Sequence, residues 1–145
     1  MEAFMYRCHP LTHKMLEIVK QEFSNQEILI ESSFGFTADV DEKHRLKNPE
    51  LGGGSILDIG CYPMSMVRLI AGNLLENSFS DPLSISASGE LSSNNIDLSA
   101  TAELEFSPKI KASIKSAINE EYENSLRISS GGKQIFVKEP WHCGQ

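Results

Sequence analysis

The hydrophobic residues after Asp81-Pro82 recur at every second position, and this period constrains the fold of the 145-residue chain more than any other feature. The alternation predicts strands at residues 83–91, 98–106, 110–118, 126–129 and 134–138, with a hairpin turn at Gly131-Gly132. Each strand is apolar on one side only. Such strands form an antiparallel sheet that packs helices on one face and leaves the other face open.

The first part of the chain is typical of an α/β unit. It is predicted to contain a strand at residues 2–8, an amphipathic helix from Leu11 to about Phe23 with Thr12 as a possible cap, and a strand from Ile28 to Phe36. His9-Pro10 separates the first two elements, because proline lacks an amide donor and disfavours helix before it. Together with the later strands, this order predicts an α+β (α/β) fold with helices on one face of a mostly antiparallel, open-faced sheet.

A polar loop at residues 37–54 connects the two parts and ends in three consecutive glycines, Gly52 to Gly54. A loop of this length is uncommon in a compact domain unless it serves a site. Glycines before a helix can cradle phosphate, but the G-K-[ST] ending of a P-loop and the G-x-G-x-x-G dinucleotide fingerprint are both absent from the sequence. The residues therefore indicate a site at the glycines without naming a nucleotide.

The segment after the glycines is apolar and is predicted to form a helix. The helix is placed at about residues 55–71, ending at Gly72-Asn73. Ser55 and Asp58 have the spacing of a capping box at its start. Pro63 is unfavourable inside a helix, so the sequence predicts either a kink near Ile59 or a regular helix that begins nearer Gly60.

Asp58 and Tyr62 are the candidate chemical groups of the chain. Four residues apart on a helix, a carboxylate and a phenol share one face beside the glycines. Taken singly, Asp58 has a structural interpretation as a capping carboxylate, and Tyr62 has one as a half-buried core residue. Taken together, they form an arrangement that can donate a proton to a substrate oxygen.

Composition and charge exclude several other functions. The net charge of −7 and the scattered Lys and Arg argue against nucleic acid as a partner, and no apolar run is long enough for a membrane span. Cys8, Cys61 and Cys143 show no C-x-x-C spacing, which favours a reducing cytoplasm over a disulfide framework. A metal site from Cys8, His9 and His13 is disfavoured because Pro10 interrupts it and no fourth ligand is suitably spaced.

Three stretches of the sequence carry a resemblance to a known family. They are Met1-Glu2-Ala3-Phe4-Met5-Tyr6-Arg7-Cys8-His9-Pro10, Glu31-Ser32-Ser33-Phe34-Gly35, and Gly52-Gly53-Gly54-Ser55-Ile56-Leu57-Asp58-Ile59-Gly60-Cys61-Tyr62. In order and spacing they resemble the glucose-fructose oxidoreductase / inositol dehydrogenase / rhizopine-catabolism (Gfo/Idh/MocA) family. The dimeric dihydrodiol dehydrogenase and xylose dehydrogenase branch is the most similar.

The resemblance implies a domain organisation. Residues 1–10 resemble the last strand of an N-terminal Rossmann domain and the crossover from it, and residues 11–145 resemble the C-terminal α/β domain for substrate binding and dimerisation, incomplete at its C-terminus. The Rossmann domain and the catalytic lysine of the Glu-Lys-Pro motif would lie upstream of this chain. In this family the open sheet often forms the dimer interface, so the resemblance implies a homodimer through that face.

The resemblance also implies site residues and a reaction. The motif D-x-G-x-Y falls on Asp58 and Tyr62, with Tyr62 as acid/base and Asp58 orienting it. Phe34 and Met5 fall on substrate-lining positions, although the dihydrodiol enzymes have tryptophan where Met5 stands, and Arg7 and His9 fall at the domain junction near cofactor or substrate. The implied activity is hydride transfer between NADP or NAD and a sugar or diol, and the isolated chain is expected to be inactive without the upstream lysine and cofactor site.

Two alternatives remain at the level of sequence. The chain could be a non-enzymatic binding or oligomerisation module derived from the same fold. A cofactor-independent hydrolase using Asp58 is disfavoured, since no activated nucleophile or second carboxylate lies in a readable motif.

Overall fold

The computed structural model describes residues 3–142 and contains two α-helices and six strands. The helices are α1 (Pro10–Phe23) and α2 (Cys61–Leu74). The strands are β1 (Ile28–Gly35), β2 (Ser84–Leu91), β3 (Asp97–Ser107), β4 (Ile110–Ala117), β5 (Ser125–Ser130) and β6 (Lys133–Lys138). Short 3₁₀ turns lie at Met5–Cys8, Arg45–Lys47 and Pro49–Leu51, and one π-helical turn lies at Ile56–Gly60.

All six strands form one sheet in the order β2-β3-β4-β1-β5-β6. Strands β1 and β4 are parallel and every other neighbouring pair is antiparallel. The fold class predicted from the alternation is therefore confirmed. In the parallel pair Phe34 lies opposite Ser116, which brings the end of β1 beside the end of β4, under the start of α2.

The core lies between the helices and one face of the sheet. Its side chains include Val19, Phe23, Ile30, Val67, Ile70, Ala112, Leu126 and Ile128. Helix α2 contacts the central strands β1 and β4 and also packs against α1. The outer strand β2 is not covered in the same way, because Ile85 on its helix-side face is 57% exposed and borders a groove of about 350 Å³ beside the start of α2.

The strand predicted at residues 2–8 is wrong within the described residues, because Met5–Cys8 is a 3₁₀ turn. Its hydrogen bonds are local: the Arg7 amide donates to the Phe4 carbonyl and the His9 amide donates to the Tyr6 carbonyl. An apolar run of this length can form a strand or a partly buried turn. Here Tyr6 is the buried side chain of the turn, and its hydroxyl donates to the Tyr62 carbonyl at the start of α2.

The start of α1 also differs from the prediction. The helix begins at Pro10, and His9 is its cap, since His9 Nδ1 accepts a hydrogen bond from the Leu11 amide at 3.1 Å. Proline is well suited to the first helical position, where an amide donor is not needed. Thr12 lies inside the helix and donates its hydroxyl to the Tyr6 carbonyl at 2.7 Å, so it anchors the preceding turn to the helix.

The start of α2 explains how a helix accommodates Pro63, a residue that is unfavourable in a helix interior. The turn at Ile56–Gly60 is π-helical, the regular helix begins at Cys61, and Pro63 falls in its first turn. Of the two alternatives, a late start near Gly60 is correct. The predicted end at Gly72 is wrong, because α2 continues to Leu74; a Cβ at Gly72 would lie 2.3 Å from the Cα of Phe79, so this glycine allows a close crossing of the chain.

Candidate active site

The start of the π-helical turn is capped by a residue from the sheet. Asp97, the first residue of β3, accepts hydrogen bonds at Oδ2 from the Ile56 amide (2.7 Å) and from the Ser55 hydroxyl (2.8 Å). Ser55 is buried and its hydroxyl also lies 3.0 Å from that of Ser116 on β4. The predicted capping box is therefore wrong: Ser55 has helical dihedral angles and makes no capping bond, and the carboxylate at the helix start comes from Asp97.

The three glycines make this capping arrangement possible. Gly54 has φ +114°, and a Cβ at this position would lie 2.0 Å from Asp97 Oδ1. The amides of Gly52, Gly53 and Gly54 donate to the carbonyls of Pro49, Asn48 and Leu46. The glycine amides thus close the loop on itself, and they are not directed at an anion.

Asp58 lies in the π-helical turn and pairs with an arginine from the long loop. Arg45 Nη1 lies 2.7 Å from Asp58 Oδ1. The side chain of Asp58 is only 15% exposed, whereas that of Arg45 is 63% exposed. Because Asp97 serves as the cap, the Asp58 carboxylate has no capping role. It is held at the surface of the turn by a charge-assisted hydrogen bond.

Tyr62 lies at the centre of a cluster of aromatic side chains. Its ring meets those of Phe4 and Phe34 edge to face, with centroids 5.1 Å and 5.5 Å away, and meets that of Trp141 at 6.0 Å and 75°. Edge-to-face contacts at these distances are the favoured geometry for aromatic pairs. The cluster fixes the orientation of the Tyr62 ring, which is half-buried, one turn of chain beyond Asp58.

Trp141 forms the back of this cluster. It is fully buried, stacks on Phe34 with a centroid distance of 5.7 Å and an interplanar angle of 15°, and donates its indole N–H to the Ser33 carbonyl at 3.0 Å. The exposed ring of His142 meets the edge of Phe34 at 5.8 Å. Sequence reasoning missed Trp141, and the signal that could have drawn attention to it is that it is the single tryptophan of the chain.

Of the other predicted site residues, Phe34 and Met5 lie in or beside the aromatic cluster, whereas Arg7 and His9 make structural contacts elsewhere. Phe34 lies in the aromatic cluster, and Met5 lies next to it in the chain between Phe4 and Tyr6, with its side chain 60% exposed. Arg7 donates from Nε and Nη2 to the hydroxyl and carbonyl of Ser65 on α2, each at 3.1 Å.

These contacts bear on two of the sequence hypotheses. The bonds from Arg7 tie the N-terminal turn to the helix that carries Tyr62, and His9 caps α1. Both residues thus have structural contacts that account for their positions. Cofactor or substrate contact by either one stays a prediction.

Tyr6 lies beneath the site and donates its hydroxyl to the Tyr62 carbonyl at 3.4 Å. Burial raises the pKa of Tyr6 above its usual value, and this outweighs the opposing influence of Ser65 and Arg7. Folding therefore favours the neutral phenol, and this contribution to stability is fully present below the pKa of an unfolded tyrosine, about 10. The contribution is lost as the pH rises from there through the pKa of the folded state.

We expect Tyr6→Phe to reduce this alkaline loss of stability, because phenylalanine has no proton to lose. The measurement is the free energy of unfolding in urea at pH 8 and at a pH above about 10, for wild type and variant. The difference between the two proteins should shift in favour of the variant as the pH rises. Parallel pH profiles for the two proteins would contradict the assignment.

In residues 3–142, no group of three or more His, Cys, Asp and Glu side chains is arranged to hold a metal ion. Within the same residues, no helix has the length and apolar character needed to cross a bilayer. Cys143 of the predicted cysteine set lies outside the described residues.

The fold and the site together define a class of protein. It is a two-layer α+β domain in which a tyrosine, held in an aromatic cluster, follows a carboxylate at the ends of the central strands. Comparison with known families then identifies it. The chain belongs to the GFO/IDH/MocA family, whose C-terminal domain model matches residues 13–134.

Curated relatives include sugar and diol dehydrogenases. The chain is 42% identical over 72 residues to D-xylose 1-dehydrogenase (NADP(+)) 2 of Haloferax volcanii, a match that covers 50% of the chain and 22% of the relative. It is 30% identical over 128 residues to the trans-1,2-dihydrobenzene-1,2-diol dehydrogenase of Xenopus tropicalis, covering 88% of the chain and 36% of the relative. The chain thus spans little more than a third of the relative that it matches over most of its own length.

Solved structures share the fold at low sequence identity. An aldose-aldose oxidoreductase from Caulobacter crescentus, complexed with glycerol, matches with a TM-score of 0.79 and 20% identity over 95% of the chain and 40% of that protein. The 3-ketoreductase KijD10 from Actinomadura kijaniata, in complex with NADP and TDP-benzene, matches with a TM-score of 0.73 and 20% identity over 97% of the chain and 41% of that protein. At these identities the matches support the fold alone.

Proposed function

We propose that this chain is the substrate-binding and proton-transfer part of an NAD(P)-dependent oxidoreductase that acts on a hydroxyl or carbonyl carbon of a sugar or diol. One observation carries the proposal: Tyr62 is held by an aromatic cluster four residues after an ion-paired carboxylate, Asp58, in a domain of the GFO/IDH/MocA family. The names of the dehydrogenase relatives, two of which specify NADP(+), support both the substrate class and the cofactor.

The roles of the two polar groups follow from their chemistry. Oxidation of an alcohol carbon requires that the hydroxyl proton leave while a hydride leaves the carbon, and a phenol with fixed orientation can exchange that proton. In reduction, Tyr62 donates its phenolic proton to the carbonyl oxygen as the carbon gains hydride, which leaves a phenolate. In oxidation, the phenolate takes the proton back from the substrate hydroxyl as the carbon loses hydride. Asp58 lies one turn of chain before Tyr62, where its negative charge orients the phenol or a substrate hydroxyl.

The aromatic cluster supplies the apolar part of the site. Phe34 and Trp141 are buried behind the Tyr62 ring, whereas the half-buried Phe4 and the exposed Met5 beside it in the chain provide apolar surface that a ligand can reach. Ligand sites commonly combine such apolar surface with a few polar groups that fix orientation. A sugar or diol has a C–H face for the aromatic surface and hydroxyls for Tyr62 and Asp58, so it fits both components.

The residues of this chain do not fit the pyrophosphate of a dinucleotide. The helix start after the glycines already holds the Asp97 carboxylate, and the glycine amides donate to carbonyls of their own loop. The nicotinamide cofactor of the whole enzyme supplies or accepts the hydride, and we propose that polypeptide outside this chain binds it. We accordingly propose that the chain alone does not turn over substrate, as expected for residues 11–145 acting as the substrate domain.

We further propose a homodimer through the open face of the sheet. This face carries both signs of charge, with Arg127 Nε 3.9 Å from Glu31 Oε2 and the Ser113 hydroxyl donating to Glu103 at 2.7 Å. A two-fold interface requires a patch that complements itself, and a surface of mixed charge meets this requirement.

The dimer proposal can be tested with two lysine variants of the chain. Lys115 is exposed on the open face of β4, whereas Lys14 is exposed on α1. We expect Lys115→Glu to shift the chain toward monomer in sedimentation velocity at fixed protein concentration, and Lys14→Glu to leave the distribution unchanged. A wild-type chain that sediments as a monomer over the micromolar range, or equal responses of the two variants, would contradict this interface.

The function is tested with the native-length polypeptide that contains this chain. NADP and NAD are offered with D-xylose or a trans-diol, and reduction of the cofactor is followed by its absorbance. The 145-residue chain is assayed beside it and is expected to be inactive with the same mixtures. Activity of the 145-residue chain above a Tyr62→Phe control would contradict the proposal that the chain needs polypeptide outside it for turnover. An inactive native-length protein would favour a binding or assembly module.

Substrate binding by the chain can be measured separately from turnover. Trp141 is the single tryptophan and contacts both Phe34 and Tyr62, so its fluorescence reports directly on the site. We expect a saturable change on titration with the sugar or diol that the native-length enzyme turns over.

The cytoplasmic location and the exclusion of nucleic-acid and membrane partners stay predictions from sequence.

A further inference from the structure

The long loop at residues 37–54 has one consequence at the site, which is the placement of Arg45. The turn Arg45–Lys47 begins after His44, whose Nδ1 accepts from the Leu46 amide, and the Leu46 carbonyl accepts from the Gly54 amide. A Cβ at Gly53 would lie 2.7 to 2.9 Å from the carbonyl oxygens of Leu46, Arg45 and Asn48. The glycines therefore allow this turn to lie directly against the start of the π-helical turn.

The ion pair that results is asymmetric at the carboxylate. Arg45 binds Asp58 Oδ1 at 2.7 Å. One carboxylate oxygen is thus fixed by the guanidinium, while 15% of the Asp58 side chain stays exposed.

The ion pair is not needed to anchor the turn. Asp97 already binds the Ile56 amide and the Ser55 hydroxyl, and the amides of the glycine segment hold the loop. A pair with a largely exposed arginine contributes little to stability, because solvent screens it. Its geometric effect is larger than its energetic one, since it selects one orientation of a carboxylate beside the reacting group.

We propose that Arg45 is a positioning residue for the hydrogen-transfer reaction: it fixes Oδ1 of Asp58 so that Oδ2 is presented to Tyr62 and the substrate. The inference rests on the proposed function and deepens it. It also gives the long polar loop a role, which is to carry a guanidinium to the site. Arginine is suited to this role because its guanidinium is always charged and its planar donors match a carboxylate. Lysine can supply the charge but not the planar arrangement of donors.

The test uses the native-length protein with Arg45→Gln, Arg45→Lys and Asp58→Asn, and with Arg45→Gln combined with Asp58→Asn. The matched control is Arg68→Gln, which breaks an ion pair between α2 and Asp81 at 2.6 Å outside the site. We expect Arg45→Gln to lower kcat roughly 10- to 100-fold with little change in KM, because misplacement of an orienting group affects the chemical step. Arg45→Lys should recover part of the loss, and Arg45→Gln should add nothing in the Asp58→Asn background.

The outcomes separate this inference from the proposed function. If the wild-type native-length protein shows no turnover with any sugar or diol, the proposed function fails and this inference fails with it. If wild type turns over and Arg45→Gln keeps its kcat, or loses no more than Arg68→Gln, Arg45 only joins the loop to the turn and the inference alone is overturned. Additive losses for Arg45→Gln and Asp58→Asn would overturn it equally.

Discussion

Replacing Tyr62 with phenylalanine is expected to lower the kcat of the native-length protein by roughly 10²- to 10⁴-fold, the usual contribution of a positioned acid/base. The ring contacts with Phe4, Phe34 and Trp141 do not involve the hydroxyl, so the aromatic cluster should be preserved. The measurement is kcat and KM for the substrate found active with wild type, with circular dichroism to show that the fold is unchanged.

The control for this variant is Tyr122→Phe, which removes a half-buried phenol between β4 and β5. This change is expected to leave kcat near the wild-type value. A Tyr62→Phe enzyme with unchanged kcat would show that the tyrosine is a packing residue and that another group moves the proton. Loss of activity in Tyr62→Phe together with loss of substrate binding by Trp141 fluorescence would instead indicate a binding role.

The second large effect is expected from Gly54→Ala, which should lower the free energy of unfolding of the chain by about 3 to 5 kcal/mol. The backbone at φ +114° is strained for any L side chain, and the added methyl would overlap Asp97 Oδ1 at 2.0 Å. Movement of Asp97 to relieve the overlap would break its bonds to Ser55 and the Ile56 amide. Urea unfolding followed by Trp141 fluorescence measures the change.

Gly52→Ala is the matched control for Gly54→Ala. Gly52 has φ +70°, but the nearest atom to an added Cβ is Leu57 Cδ1 at 3.8 Å, an ordinary contact. The strain alone is expected to cost about 1 to 2 kcal/mol. Equal losses for the two variants would show that the overlap with Asp97 is relieved without cost, and that the cap is not important for stability.

The sheet was predictable from the sequence because a strand with one buried face has hydrophobic residues at every second position. The alternation at Leu104, Phe106, Ala112 and Ile114 corresponds to side chains on the helix side of β3 and β4. The parallel pairing of β1 with β4 was not predictable, since no local signal states which distant strand β1 will join. The two helices were predicted, but α1 begins at Pro10 with His9 as its cap, and α2 continues past Gly72 to Leu74.

The candidate site was only partly predictable. Asp58 and Tyr62 were found because they follow each other at helical spacing beside the glycines, but the capping role suggested for Asp58 belongs to Asp97, 41 residues after Ile56 in the chain. Trp141 reaches the site from the other end of the chain through its bond to Ser33, 108 residues away. Partners this far apart in sequence leave no periodic pattern, so the cap and the back of the aromatic cluster needed the structure.

The Asp97 cap also sets an order of events for folding. A helix that caps itself with neighbouring residues can begin before the rest of the protein has assembled, whereas α2 and its π-helical turn receive their cap from the first residue of β3. Closing so long a loop has an entropic cost that must be met before the contact is gained. The turn that carries Asp58 should therefore take its final form late, after β3 has joined the sheet, and amide exchange at Ile56 should report that step.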